Sequence, residues 1–600
     1  MHEQADPDII EFEDVDICDP KYVEGPGFRQ RRSAIFVTFA DPSITLVDVE
    51  KMMETGMNVA RFKTSHSTTG DKVKLLKKFD KATNFLAAKY GLLDWPCATC
   101  IELKTCVANT GILEDNDFEI VIREDTDIVM SCDVQMYNKC NAEHIFVNNP
   151  YLTSDAKVGM IINIGSDEII TKCTAILSAK TIKCRVTKGG MLHNMAYVCM
   201  RGAKRTRPYL TKADLHIIKF AIEYQVDMII INYARHIDTV RKIKRFLGSK
   251  VRRPVIVAGL SSEQGLDNID GIINEADAIL LSREFITYEL PLHLYHKMGR
   301  IQKYVAAKCR QVGKPFYLSG GIFNEALMTG DFHGREFSDV TNAILDGVTG
   351  FVLRETPNVD YLMAVMRTMN DLCASVEPLT NDRQGFFRDL SQLKMPLNAA
   401  EASAISCVFI ANQTQSRIIV CPTVSGRTAY LLNWLRPVNP IIAVTTKIRT
   451  ERILRTQRGV IALLYKGAPR RTWFRSVQAR VEYAIEYAVE KHWLEYGDPY
   501  VTLEKGTEAS PFCDCVRVWN VTTVKKNTVE CPEDYHDFAL NDFVEPPPLH
   551  KKHIAVKKHS VDDAMKGKSL DSILAEALEQ VRRGANTNNE DGNQENIKTS

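Results

Sequence analysis

The sequence lacks a strong excess of charge of either sign and lacks any long hydrophobic run. Its 76 basic and 75 acidic residues give a formal net charge of +1 at pH 7, a balance that does not favour nucleic-acid binding or provide a one-sign field to steer a ligand. The longest apolar runs have the length of a strand, so we expect no membrane-spanning helix. The amino terminus lacks a basic segment followed by an apolar one, so we expect no signal peptide.

Zinc-site spacing is missing from the 16 cysteines. Cys97, Cys100 and Cys106 lie in an apolar run without a second pair or histidines at zinc-site spacing, so we predict buried structural thiols. Cys513 and Cys515 are too closely spaced for a usual zinc knuckle. Without an export signal, free thiols in a reducing compartment are expected, and the cytoplasm is the expected location.

The 600 residues, 45% of them hydrophobic, are sufficient for several buried cores. Residues 1–30 are predicted to form a solvated acidic arm, because apolar periodicity begins only at Ala34. Strand-sized apolar runs then alternate with helical patterns, which predicts a (β/α)8 barrel with its active site on the loops at the carboxyl ends of the strands. The eight predicted strands are residues 34–38, 58–62, 96–102, 228–232, 254–258, 278–282, 315–319 and 350–353.

More than a hundred residues separate the third predicted strand from the fourth, far beyond an ordinary strand-to-helix connection. Because this gap contains runs rich in β-branched residues, we predict an all-β domain at 106–202, inserted between barrel segments 31–105 and 203–377. The predicted strands of this insert are residues 120–129, 157–164, 168–177 and 181–186.

Two further regions follow the barrel. Residues 378–521 contain strand-like runs with intervening helices, which predicts a small open α/β sheet. The tail at 522–600 is predicted to be largely disordered, with a helix at 570–582 whose apolar stripe docks on the chain itself or on a partner. The stripe consists of Ile573, Leu574, Ala577 and Leu578.

One stretch carries a family resemblance. Gly56-Met-Asn-Val-Ala-Arg61, followed by Ser65-His66, closely resembles the pyruvate kinase signature Gly-Met-Asn-Val-Ala-Arg-x-Asn-x-Ser-His, with Lys63 at the second asparagine. The resemblance covers about residues 31–521. It implies a (β/α)8 barrel, a small β-barrel cap that closes over the barrel mouth, and a carboxyl-terminal α/β domain. It also implies phosphoryl transfer between phosphoenolpyruvate and ADP, with Mg2+ and K+ as cofactors.

The motifs that carry this chemistry are degenerate. Where the family has Lys-Ile-Glu-Asn-x-x-Gly, Gly259 stands at the catalytic lysine and Ser261 at a metal-binding glutamate. Where it has Ala-Arg-Gly-Asp-Leu-Gly, Phe285 stands at the second metal carboxylate. Gly320 matches the threonine beside the enolate, and Asn109 matches an arginine that binds nucleotide phosphate.

The resemblance therefore implies that neither cofactor is retained. Loss of both carboxylates leaves no evident set of oxygen ligands for Mg2+. Glu263 and Glu284 lie one or two positions away, but on a strand or tight loop such a displacement turns the side chain to the opposite face.

The positions that match the monovalent-cation site are Lys63, Ser65, Glu102 and Leu103, and only the serine is unchanged. A lysine ammonium facing a glutamate would place a fixed positive charge where the family holds potassium. An ordinary salt bridge at the barrel mouth is an equally plausible interpretation.

Several cations of the family site survive. Arg61, Lys104 and Arg235 match substrate-binding positions, and His66 is also retained. They predict a partly basic mouth that either holds a small anion or pairs these cations with acids.

A second anion site is expected in the carboxyl-terminal domain. A strand-to-helix loop there presents hydroxyls and amides at a helix amino terminus, which favours anions. In the family this loop holds the phosphate of a sugar bisphosphate effector. The opposing loop carries Glu508, so we expect weak phosphate binding. The loop residues are Thr423, Ser425, Gly426, Arg427 and Thr428.

Three functions are compatible with the sequence. The first is a catalytically impaired paralogue that acts as a binding or assembly protein, as a homo-tetramer or in hetero-oligomers with an active pyruvate kinase. The second is a working kinase that uses displaced ligands. The third is a structural protein that needs only the fold and its tail.

Overall fold

The computed structural model describes residues 31–522 with short gaps. The gaps are residues 41–42, 64–68, 104–107, 115–118, 166–167, 204–209, 249–252, 291, 357, 381–385, 388–389, 392, 394 and 468–471. The acidic arm and the predicted helix at 570–582 lie outside the described residues. Within them, none of the helices combines the length and the apolar character needed to cross a bilayer.

Eight parallel strands close into a barrel, which confirms the predicted fold class. The first strand pairs with the last, Ala34 lying opposite Gly350, and this pairing closes the sheet. Each strand is a short apolar run buried on both faces, as expected in parallel sheets covered by helices. With strands numbered along the whole chain, they are β1 (Ala34–Phe39), β2 (Val59–Phe62), β3 (Ala98–Glu102), β13 (Met228–Ile231), β14 (Val255–Leu260), β15 (Ala278–Ser282), β16 (Phe316–Ser319) and β17 (Gly350–Leu353).

Helices cover the outside of the barrel, and the wall of strands separates an inner core from an outer one. The inner core includes Phe36 and Tyr317, whose ring centroids lie 4.7 Å apart. The outer core packs the other strand faces against the helices. The helices are α1 (Leu46–Glu54), α2 (Thr69–Lys89), α4 (Lys212–Glu223), α5 (Ile237–Leu247), α6 (Glu263–Asp267), α7 (Ile269–Glu275), α8 (Arg283–Glu289), α9 (Met298–Gln311), α10 (Asn324–Thr329), α11 (Gly334–Leu345) and α12 (Val359–Val376), with 3-10 turns at Leu292–Lys297 and Glu377–Thr380.

The insert between β3 and β13 is an all-β domain, called the cap below. Its seven-stranded sheet has the order β4-β12-β8-β9-β10-β6-β7. The two edge strands meet through a bridge between Thr110 and Val147, so the sheet curls back on itself. The elements are β4 (Ala108–Asn109), β5 (Glu119–Ile122), β6 (Asp127–Ser131), a 3-10 turn (Val134–Met136), β7 (His144–Phe146), α3 (Leu152–Asp155), β8 (Ile161–Ile164), β9 (Ile169–Ile176), β10 (Thr181–Lys188), β11 (Gly190–His193) and β12 (Tyr197–Met200).

The prediction of one strand over residues 120–129 was wrong. The chain turns between β5 and β6, and Asp125 has a φ of 58°. Aspartate tolerates this left-handed conformation because its short side chain bonds locally. The predicted strand at 157–164 also shortens to β8. Local turn chemistry therefore overrides the apolar pattern in the cap.

The carboxyl-terminal domain is an open five-stranded sheet with helices on both faces. Its order is β20-β19-β18-β21-β22. The sequence prediction missed β22, which pairs antiparallel to β21. The elements are α13 (Ala399–Gln413), β18 (Ile419–Pro422), α14 (Arg427–Trp434), β19 (Ile441–Thr445), α15 (Ile448–Leu454), β20 (Val460–Leu464), α16 (Trp473–Glu490), β21 (Pro499–Glu504) and β22 (Cys515–Asn520).

Helix α15 joins this domain to the amino-terminal end of the barrel through ion pairs. Arg452 Nε donates to Asp94 Oδ2 at 2.6 Å, and Arg449 lies 3.6 Å from the buried carboxylate of Asp227. Glu451 is only 5% exposed on the same helix. Burial raises the pKa of Glu451 to about 7, with Asp94 adding to the rise and Arg455 and Arg452 opposing it.

Replacing Glu451 should change the pH dependence of stability. Between its ordinary pKa of 4.5 and about 7, Glu451 holds a proton in the folded chain that the unfolded chain releases. The free energy of unfolding therefore falls as the pH rises through this window. One pKa unit corresponds to about 1.4 kcal/mol. The stability of Glu451→Gln relative to wild type should therefore be greater at pH 8 than at pH 5, by on the order of 2 to 3 kcal/mol. Thermal melting across this range measures the difference, with the exposed change Glu508→Gln as control. Parallel melting profiles for wild type and Glu451→Gln would contradict the assignment.

Candidate functional site

The carboxyl ends of the barrel strands bring acid–base pairs together at the mouth. The guanidinium of Arg61 forms an ion pair with Glu102, and its Nη1 donates to Thr38 Oγ1 at 2.9 Å. Thr38 in turn donates to the carbonyl of Leu353 at 2.6 Å. These contacts link β1, β2, β3 and β17. Burial disfavours the charged form of Arg61, but the charge and hydrogen bond of Glu102 and the charge of Glu355 together outweigh it and raise the pKa of Arg61 above its usual value.

Lys63 pairs with Glu355, which agrees with the interpretation of a salt bridge at the barrel mouth but gives it a different acid. Glu102 pairs instead with Arg61. Although burial alone would raise the pKa of Glu355, the positive charges of Lys63 and Arg61 lower it to about 2. Sequence reasoning missed Glu355, although it follows the end of β17 and was therefore placed to reach the mouth.

The other predicted cation and substrate positions are buried, lie in the cap or fall outside the described residues. Leu103 is buried in the outer core, and Asn109 lies in the cap, where its Nδ2 donates to the carbonyl of Met195 at 2.8 Å. Arg235 follows β13 and is 3% exposed. Ser65, His66, Lys104 and Cys106 lie outside the described residues. Cys97 and Cys100 are buried, as predicted, and burial raises the pKa of both thiols.

The position matching the catalytic lysine has no room for a side chain. Gly259 lies near the end of β14, two residues beyond Val257, which belongs to the inner core. A Cβ on Gly259 would lie 2.5 Å from the carbonyl oxygen of Ile231 and 2.7 Å from that of Asn232. Since side-chain carbons do not approach backbone oxygens so closely, any larger residue requires β13 to move.

The two residues at the positions that match metal carboxylates make contacts within the protein. Ser261 donates its hydroxyl to the carbonyl of Asn232 at 2.6 Å. Phe285 lies in an aromatic cluster, with its ring centroid 5.2 Å from that of Tyr197 and 5.8 Å from that of Tyr233. Sequence reasoning did not identify either tyrosine.

The neighbouring glutamates lie on helices, which corrects the expectation of a strand or tight loop. Glu263 begins α6 and Glu284 lies in the first turn of α8. The backbone of Glu284 closes against Gly320, because a Cβ on Gly320 would lie 2.6 Å from the nitrogen of Glu284. Gly320 has a φ of 84°, which a threonine rarely adopts. Arg283 holds this loop through its Nε bond to the carbonyl of Gly320 at 2.9 Å.

The donor set at the mouth does not fit the metals that the resemblance implies. Mg2+ requires carboxylate or carbonyl oxygens in an octahedral arrangement, and the matching positions supply a serine already bonded to backbone and a phenylalanine. Among the described residues, no group of three or more His, Cys, Asp or Glu side chains is arranged to hold a metal ion. The described K+ positions supply a lysine paired with Glu355, a glutamate paired with Arg61 and the buried Leu103.

The phosphate-binding loop has the predicted strand-to-helix geometry between β18 and α14. Thr423 Oγ1 accepts from the nitrogen of Gly426 at 3.0 Å, and Ser425 Oγ accepts from the nitrogen of Arg427 at 3.4 Å. Ser425 and Arg427 are exposed at the loop surface. Two amides at the start of the helix are therefore engaged by the loop's own hydroxyls.

The opposing loop at 506–514 carries a second acid besides Glu508. Thr428 Oγ1 lies 3.1 Å from Cys513 Sγ, which places this loop beside the phosphate-binding loop. Asp514 accepts from the nitrogen of Gly506 at 2.6 Å and from Ser510 Oγ at 2.9 Å. Although burial opposes them, these hydrogen bonds lower the pKa of Asp514. A negative charge therefore adjoins the loop.

Comparisons with known proteins agree with this architecture. The family model of the pyruvate kinase barrel domain matches residues 30–364, and that of the pyruvate kinase alpha/beta domain matches residues 401–519. Pyruvate kinase PKLR of Homo sapiens is 25% identical over 494 residues, covering 82% of this chain and 85% of its own length. Pyruvate kinase of Candida albicans is 26% identical over 491 residues, covering 81% and 95%. The cytosolic pyruvate kinase isozyme of Solanum tuberosum is 27% identical over 508 residues, covering 81% and 96%. Because the barrel model alone matches more than half of the sequence, the resemblance is confirmed and the chain belongs to the pyruvate kinase family.

Proposed function

We propose that this pyruvate kinase-family protein has lost, or strongly reduced, phosphoryl transfer between phosphoenolpyruvate and ADP and acts as a binding or assembly paralogue in the cytoplasm. The observation that carries this proposal is the close approach of β13 to Gly259. A Cβ there would lie 2.5 Å from the carbonyl oxygen of Ile231, so the catalytic lysine is absent and its place is filled by backbone.

The charges at the mouth support the same proposal. Phosphoryl transfer depends on cations and metal ions that neutralise the transferring group. Here Arg61 is paired with Glu102 and Lys63 with Glu355. An incoming phosphate would have to displace these carboxylates or bind to cations whose charge is already balanced. A small anionic metabolite is therefore expected to bind weakly at the mouth.

Two alternative functions predict different measurements. A working kinase that uses displaced ligands would require Glu263 or Glu284 to hold Mg2+, and Mg2+-dependent pyruvate formation would identify it. A purely structural protein would lack both activity and a stable partner. Co-purification with an active pyruvate kinase distinguishes the assembly function from this structural one.

An apolar surface of the carboxyl-terminal domain supports assembly. Val518 on β22 is 45% exposed on the face that carries α13, where Phe409 is 42% exposed, and Trp519 is 44% exposed on the opposite face of the same strand. In the described chain β22 pairs with β21 alone, which leaves one strand edge open. Exposed edge strands are ready to pair with another chain. We therefore place the contact with a second subunit, either identical or an active relative, at β22 and α13.

The activity prediction concerns wild type, Gly259→Lys and the quadruple variant Gly259→Lys, Ser261→Glu, Phe285→Asp, Gly320→Thr. We expect negligible turnover for all three in a lactate dehydrogenase-coupled assay, because catalytic groups act as a unit and the backbone leaves no room at positions 259 and 320. As a matched stability control, Gly259→Ala should cost about 1 to 3 kcal/mol through overpacking. Gly299→Ala meets no atom within 4 Å and should not destabilise the fold. Wild-type turnover within about tenfold of the ordinary range of 1 to 1000 per second would refute the proposed loss of catalysis.

The assembly prediction concerns Trp519→Asp. A charge placed in an apolar interface is poorly solvated when the interface forms, so this variant should weaken self-association or association with an active pyruvate kinase by at least about tenfold. Sedimentation velocity and co-purification measure both. Val158→Asp changes a residue that is 67% exposed in the cap and should leave association unchanged. Equal association by the Trp519→Asp variant would place the interface elsewhere.

The phosphate prediction concerns the loop between β18 and α14. We expect weak binding of inorganic phosphate or a sugar phosphate in titration calorimetry. Ser425→Asp should abolish the heat because its charge repels the ligand, whereas Glu508→Gln should increase affinity by removing an opposing charge. Identical heats for wild type and both variants would rule out this loop as the phosphate site.

A further inference from the structure

Strand β12 of the cap belongs to two packed layers at once. Val198 and Met200 point into the cap core. Successive side chains of a strand face opposite sides, and Tyr197, Cys199 and Arg201 make their contacts on the barrel side. The last strand of the cap is therefore also a packing element of the barrel.

Tyr197 makes the central contacts of this junction. Its hydroxyl lies 2.6 Å from the hydroxyl of Tyr233, which follows β13, and 3.3 Å from Glu289 Oε1. Its ring centroid lies 5.2 Å from that of Phe285 and 5.9 Å from that of Tyr288. Tilted and edge-to-face aromatic pairs at such distances are attractive beyond their buried area.

The residues that follow Tyr197 extend the junction along α8. Cys199 Sγ donates to the carbonyl of Tyr288 at 3.0 Å. Arg201 is 7% exposed and lies within 3.4 Å of the carbonyls of Thr287 and Leu290. Its guanidinium lies 5.0 Å from the ring centroid of Tyr295, a favourable cation–π distance. The nitrogen of Gly202 donates to the carbonyl of Glu289 at 3.1 Å.

These contacts occupy the position where the family places a metal carboxylate. Phe285 stands at that position, and its ring contacts both Tyr197 of the cap and Tyr233 of the barrel. A carboxylate there would lose both ring contacts. The substitution thus exchanges a polar metal ligand for a packing contact between two domains.

We propose that an aromatic joint, formed by Tyr197, Tyr233, Phe285 and Tyr288, holds the cap on the barrel in one fixed arrangement without a metal ion or ligand. Arg201 and Cys199 reinforce the joint by bonding to the backbone of α8 and the residues after it. The cap therefore does not open and close over the mouth. The cap and the barrel keep one position relative to each other. The joint is independent of the proposed loss of catalysis, because a distance measures it rather than turnover.

The test is a distance measurement by pulsed electron paramagnetic resonance on the full chain. Spin labels attached to p-acetylphenylalanine at Val134 in the cap and Phe85 on α2, which are 77% and 54% exposed, leave the native thiols untouched. We expect one narrow distance distribution that is the same with and without Mg2+ and phosphoenolpyruvate. Tyr197→Ala should lose this single narrow peak, whereas Tyr487→Ala, which removes an aromatic contact with Trp493 far from the joint, should retain it.

A second variant guards against misfolding of Tyr197→Ala. Arg201→Lys keeps the charge but loses the planar group that reaches two carbonyls and a ring, and it should also broaden the distribution. A wild-type distribution with two populations, or a mean distance that shifts when Mg2+ and phosphoenolpyruvate are added, would overturn the proposal. A narrow distribution in both joint variants would overturn it equally, since the cap would then be held by other contacts.

Discussion

Closure of the barrel by pairing of β1 with β17 is the constraint on which the rest of the structure depends. A closed parallel barrel places the carboxyl ends of all eight strands around one mouth. Thr38, Arg61 and Glu102 come from three neighbouring strands and are connected there by a hydrogen bond and an ion pair. Thr38 also donates to the carbonyl of Leu353 on β17, and Lys63 pairs with Glu355 just beyond β17. Without closure, β1 and β17 would be the two edges of an open sheet, and the contacts from Thr38 to Leu353 and from Lys63 to Glu355 would not form.

Cations at the mouth, both the retained Arg61 and the added Lys63, are paired with acids of the same barrel. Arg61 and Lys63 are compensated by Glu102 and Glu355, and Arg283 is held by Asp339 through contacts of 2.7 and 2.6 Å. Internal compensation of this kind stabilises charges that would otherwise be buried without a partner. It also reduces the positive potential available to a phosphate, which links the packing of the mouth to the proposed change in function.

The amino-terminal end of the barrel is joined to the carboxyl-terminal domain by a different kind of contact. Arg452 and Arg449 of α15 bind carboxylates of the barrel, while burial raises the pKa of both Asp227 and Glu451. These buried acids ionise at a higher pH in the folded chain than in the unfolded chain. The stability of this junction therefore falls as the pH rises through that range. The junction between cap and barrel relies instead on aromatic and backbone contacts, together with the bond from Tyr197 to Glu289.

The sequence by itself determined the barrel, the insert and the carboxyl-terminal sheet. Buried strands appear as continuous apolar runs, and each run and its place along the chain can be read without knowing any tertiary contact. The motif positions Gly259, Ser261 and Phe285 were also identified from the sequence, together with the loss of their carboxylates and lysine. Only the tertiary structure decided what replaced them. The carbonyls of Ile231 and Asn232 approach Gly259, Tyr197 and Tyr233 enclose Phe285, and Glu355 rather than Glu102 binds Lys63. These partners lie far apart in the sequence, and closure of the barrel and docking of the cap bring them within contact distance.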